Sequence, residues 1–201
     1  MIERWSRKTG FLDLVRDHSG VIAIEFALIV PIMLIIFFGS YEAASLVLAY
    51  MKLENAAETA ADLVAQTTVN TAALQSSAFT GFTNAVEQVL SPLPTSGTQL
   101  KIAYASVTYS TGSPVIDWHY EFNGATALTI ANISTSQNLA NLGSETNGST
   151  DSVIIVKLTY AYTSSFSHVL NSSYTLSEIA FNRPRYTNCV ATYLNTGSVC
   201  P

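Results

Sequence analysis

The stretch SGVIAIEFALIVPIMLIIFFGSYE, residues 19–42, decides how this chain is built. Between Val21 and Tyr41 the sole charged residue is Glu25, and the other interruptions are Pro31, Gly39 and Ser40. As an α-helix, 21 residues rise about 31 Å, enough to cross the hydrocarbon core of a bilayer once. The apolar run is longer than the core of a cleaved secretory signal, and Gly39-Ser40-Tyr41 leads into more helix rather than a small-x-small cleavage loop. On these grounds the segment is an anchor. Glu25 then needs explaining, because a carboxylate inside hydrocarbon costs about 2.5–3.5 kcal/mol. Lying about one turn inside the span, it can reach interfacial water, take up a proton, or meet a positive group from a neighbouring subunit. Pro31 removes a helix donor and predicts a kink.

Charge on either side of the span gives its orientation. Residues 1–20 hold Arg4, Arg7, Lys8 and Arg16 against Glu3, Asp13 and Asp17, whereas only Lys52 lies close on the far side. The positive-inside rule places the N-terminus in the cytoplasm and everything after Tyr41 across the membrane. The net charge of −5 is concentrated in the exported part, and no Lys/Arg cluster follows Arg16. A nucleic-acid-binding face is therefore not expected. The two cysteines, Cys189 and Cys200, lie near the C-terminus. In an oxidising compartment they predict a disulfide closing a short loop; two free thiols are the alternative.

Beyond the span the helical pattern continues. Leu46, Tyr50, Leu53, Ala57, Ala60 and Val64 form an apolar stripe, while Glu54, Glu58 and Asp62 fall on another face. One helix is predicted from Val21 to about Thr68, and a second from Leu74 to Leu90, ended by Ser91-Pro92-Leu93-Pro94. The stripe suits packing against the chain's own head, against other helices, or both. From Thr98 the period changes to two. Leu100, Ile102 and Tyr104 start one strand. Ile116, Trp118, Tyr120 and Phe122 define an apolar face opposite Val115, Asp117, His119 and Glu121, with Ser110–Pro114 as the hairpin connection. Ile154, Val156, Leu158, Tyr160 and Tyr162 line a third strand, and a fourth is expected around Tyr174 to Phe181. Residues 123–151, rich in Asn, Ser, Thr and Gly, read as a surface excursion with a short helix near Leu139. The expected fold is α+β: a long transmembrane helix continuing into an exported one, then a small antiparallel sheet head. The corresponding regions are 1–20 (leader), 21–41 (span), 42–94 (exported helices) and 95–201 (head).

Signatures of catalysis are missing. His18, His119 and His168 share no obvious partner, and no phosphate-binding glycine loop appears. Asp117 and His119, two apart on a strand, are expected on one polar face, a spacing that solvated surface pairs commonly show. Two Cys and a distant His168 are too few for zinc. Neither metal nor cofactor is expected, and the sequons at Asn132, Asn147 and Asn171 read as accidents of polar composition.

Gly20, four apolar residues, then Glu25 and Phe26 resemble the processing site of type IV pilins and their Flp-type relatives. The longer stretch RDHSGVIAIEFALIVPIMLIIFFGSYEAASLVLAYMKLENAAETAADLVA is similar to the N-terminal segment of TadE-like proteins, pseudopilins of tight-adherence pilus systems. DSVIIVKLTYAYTSSF and NRPRY, at residues 151–166 and 182–186, resemble that family's last strands and basic-proline segment. Where the family carries YxYxP, this chain departs with Tyr160-Ala161-Tyr162-Thr163-Ser164. The resemblance implies cleavage between Gly20 and Val21 by a prepilin peptidase on the cytoplasmic face. It implies that Glu25 pairs with the new α-amino group of a neighbouring subunit. It further implies a non-enzymatic, single-pass protein of the bacterial inner membrane, whose partners are pilin and pseudopilin subunits and the pilus assembly platform. An uncleaved anchor presenting a periplasmic binding or adhesion module is the alternative.

Overall fold

The computed structural model describes residues 19–67, 76–110, 113–134, 152–164 and 173–190. Helix α1 runs from Ser19 to Ala65 and α2 from Ser76 to Leu90. Strands β1 (Leu100–Ser110) and β2 (Ser113–Phe122) follow, then a short helix α3 (Ile130–Ser134), β3 (Ser152–Thr163) and β4 (Ser173–Asn182). The chain divides into two compact units, 1–44 and 45–201.

In the second unit the four strands form one antiparallel sheet in the order β2-β1-β3-β4. One face packs on the helices. Leu53, Ala56, Ala57, Ala60, Ala61 and Val64 of α1 join Phe79, Val86 and Leu90 of α2 against Leu100, Ile102, Tyr104, Trp118, Ile154, Val156, Leu158 and Tyr160. Alanine at most of the α1 contact positions lets its backbone approach the sheet closely. The aromatic centre is tight, with Phe79 stacked on Tyr120 at 4.4 Å and edge-on to Tyr104 and Trp118. Such ring pairs add about 0.5–1.5 kcal/mol beyond area burial. Tyr50, near the start of the predicted apolar stripe, is 45% exposed, and its hydroxyl donates to Glu178 Oε2 at 2.8 Å.

The opposite sheet face is also covered. Ala103, Ala105, Val107, Val153 and Ile155 pack with Leu128 and Ile133, so the 123–134 stretch contributes core rather than a surface excursion. The helix expected near Leu139 lies outside the described residues. Val153-Ile154-Ile155-Val156, four consecutive apolar residues, is the sequence signature of this two-sided burial.

A β-bulge reorganises the β1–β2 hairpin. Ser106 pairs with Trp118 and Val107 with Ile116, leaving Asp117 as the extra residue. Trp118, Tyr120 and Phe122 face the helices as expected, but Ile116 joins the opposite cluster. Strict alternation through residue 117 would have kept all four together.

Several polar contacts fasten the pieces. Lys52 Nζ donates to the carbonyls of Ser91 (2.6 Å) and Val89 (3.4 Å), placing a cation at the C-terminal end of α2. The indole N–H of Trp118 donates to Val190 O at 2.6 Å, and the Tyr160 hydroxyl to Pro94 O at 2.9 Å. Asn123, at φ 57°, uses its side-chain amide to bond Gly97 O and Leu100 O. At the end of α1 the Arg185 amide donates to Ala65 O at 2.9 Å, while its guanidinium pairs with Asp62.

Candidate functional site

The processing motif sits at the start of α1. Ser19 opens the helix, Gly20 and Val21 are exposed, and no heavy atom lies within 4 Å of where a Cβ on Gly20 would stand. The Gly20–Val21 bond is thus uncrowded by the described residues. Residues 1–18 of the leader lie outside those residues.

Glu25 is exposed on the same helix. Its helical neighbours at three and four positions are Val21, Ile22, Leu28 and Ile29, all large, apolar and 51–70% exposed. The carboxylate therefore belongs to an apolar surface, not to a polar stripe. No ion pair to Glu25 forms among the described residues. The helix is continuous through Pro31. From Val21 to Phe38 the large apolar side chains other than the half-buried Val30 are turned outward, from Phe38 at 37% to Ile35 at 72%. This is one helix long and apolar enough to cross a membrane.

The head offers a second cluster, arranged differently from its sequence pattern. The bulge carries Asp117 to the helix-facing side of the sheet, where it accepts hydrogen bonds from Ser106 Oγ (3.1 Å) and Thr108 Oγ1 (2.5 Å). Burial pushes the Asp117 carboxyl up, opposed by those two hydroxyl donors. His119 stays on the opposite side, its Nδ1 2.6 Å from Glu121 Oε1 at the surface. The two residues expected on one polar face are therefore split between faces, and Asp117 and His119 cannot act as a pair. Among the described residues no group of three or more His, Cys, Asp or Glu side chains is arranged to hold a metal. Cys189 lies after β4, whereas Cys200, His18, His168, Asn147 and Asn171 are outside the described residues.

Sequence reasoning missed the anchoring of α1 by Asp62. This carboxylate accepts from Asn182 Nδ2 (3.1 Å) and Gln66 Nε2 (2.5 Å) as well as from Arg185. Its signal lay in NRPRY, whose Asn and second Arg supply two of the partners, but no local spacing ties that segment to residue 62.

Among the described residues, one helix long and apolar enough to cross a membrane is followed in sequence by an α+β unit that carries a four-stranded antiparallel sheet. Residues 20–62 match the family model described as TadE-like protein, which covers Gly20, Glu25, Pro31 and α1 as far as Asp62. No curated protein and no solved structure matches the chain.

Proposed function

We propose that this chain is a minor pilin-like subunit of a tight-adherence pilus system, anchored by α1 with its N-terminus in the cytoplasm. A prepilin peptidase cuts between Gly20 and Val21. The α-amino group so created on one subunit neutralises Glu25 of a neighbour as the helices pack. The observation that carries this reading is the family match over residues 20–62, together with an exposed Glu25 surrounded by exposed apolar side chains. A lone carboxylate on such a surface is costly, and a partner charge offsets that cost only when cleavage and assembly bring the two together. The head, in an oxidising compartment, carries a Cys189–Cys200 bond, and the subunit works by assembly rather than catalysis. Other pilins, pseudopilins and the assembly platform are its partners.

Co-expression with a prepilin peptidase, followed by N-terminal sequencing, tests the cut. A mature chain beginning at Val21, and its loss in a Gly20→Ile variant, is the expected outcome. An intact chain from Met1 that still supports piliation excludes cleavage. Glu25→Ala then separates a subunit from a passive anchor presenting an adhesive head. For a subunit, piliation falls while membrane insertion is retained; for an anchor, both are unaffected.

A further inference from the structure

Between α1 and β4 lies a groove of about 720 Å³, walled on one side by Glu54, Glu58 and Asp62 and on the other by Glu178, Ala180 and Asn182. Its two walls differ in kind. β4 is the last strand in the sheet order, so among the described residues its outer backbone N–H and C=O groups have no neighbouring strand. An exposed edge of this sort is a template for strand addition.

The helix wall matches such a strand in spacing. Tyr50 meets Glu178 near one end of the groove and Asp62 meets Asn182 at the other, so helix and strand run in the same direction along it. Glu54, Glu58 and Asp62 recur every four helical residues, about 6 Å apart along the axis. Alternate side chains of a strand repeat every 6.6–6.8 Å or so. A strand added to β4 hangs every second side chain over the groove, nearly in step with these carboxylates. Asp62 is already engaged by Arg185. Among the described residues Glu54 and Glu58 are exposed and enter no ion pair, and apart from Arg185 on Asp62 no basic side chain meets the groove lining.

We propose that this groove docks an extended segment of a partner protein carrying Lys or Arg at alternate positions, which lengthens the sheet at β4. Charge decides against a second copy of the same edge: β4 itself carries Glu178 and no basic residue, so self-pairing adds like charge to like. The surface lies within the unit 45–201 and does not depend on whether the leader is cut.

The test uses the full chain in phosphatidylcholine nanodiscs with fluorescent eight-residue peptides read by anisotropy. One peptide alternates Lys with Val, a second has the same composition with its lysines consecutive, and a third alternates Glu with Val. The first is expected to bind on the order of tenfold more tightly than the second, and the third not at all. Glu54→Gln with Glu58→Gln should weaken the first peptide by a similar factor; both sites are exposed, and Gln is as good a helix former as Glu. The bound peptide should also slow amide exchange along β4. Equal binding of the permuted peptide, undiminished binding by the double variant, no binding of the first peptide, or unchanged β4 exchange each overturns the proposal.

Discussion

The two halves of α1 have the same secondary structure and opposite side-chain logic. From Val21 to Phe38 the helix carries Ile, Leu, Phe and Met all round, turned outward. From Ala49 to Ala65 it carries a stripe of alanine with Leu53 and Val64, nearly all of it 0–1% exposed, and carboxylates on another face. Apolar character all round is what a helix needs when its solvent is lipid or other apolar helices. A small-residue stripe is what it needs when a sheet must come close. The one polar residue between Val21 and Phe38, Glu25, is therefore informative because nothing in the first pattern requires it.

The sharpest way to break this comparison is to make the same kind of truncation in each half. Leu53→Ala should destabilise the head by about 2–5 kcal/mol, the usual cost of emptying a buried leucine site. Ile32→Ala should leave head unfolding within about 0.5 kcal/mol of wild type. Thermal unfolding in detergent, followed by near-ultraviolet circular dichroism of the head aromatics, measures both. Equal losses would mean that the exposed half supports the head. A smaller effect comes from overfilling the stripe. Ala57→Leu should cost about 1–3 kcal/mol by the same assay, because the alanine is fully buried against the sheet.

The smallest expected effect concerns the bulge. Burial raises the Asp117 carboxyl above its unfolded value, so the folded state prefers the protonated form. Its contribution is fully present below the unfolded pKa and declines as pH rises through the folded one. Stability measured upward from about pH 3.5 should fall more in wild type than in Asp117→Asn, whose side chain does not ionise. Parallel pH profiles for the two proteins would remove Asp117 as the source.

Much of this was legible from local patterns. The span, the stop at Leu90 and the four strands follow from composition and period, because each is decided within its own segment. The bulge was not, since Val115-Ile116-Asp117-Trp118 alternates acceptably on paper and only the pairing of Ser106 and Val107 shows the slip. Burial at Leu128 and Ile133 escaped for a similar reason: their segment shows no strand or long-helix period of its own, and their partners Ala103, Ala105 and Ile155 lie on strands distant in sequence. At the candidate site, Gly20 and Glu25 were legible because the motif is contiguous. The groove beside β4 was not, because its walls come from positions more than a hundred residues apart.

The closing contacts at Arg185 and Val190 also bear on the order of events during synthesis. Ala65 O and Asp62, at the end of α1, are satisfied by Arg185, and the buried Trp118 indole by Val190. A chain emerging from its N-terminus meets these partners only after residues 185 and 190 have been made. The helix that begins first is thus finished last, and the head locks shut only once its final described residues have arrived.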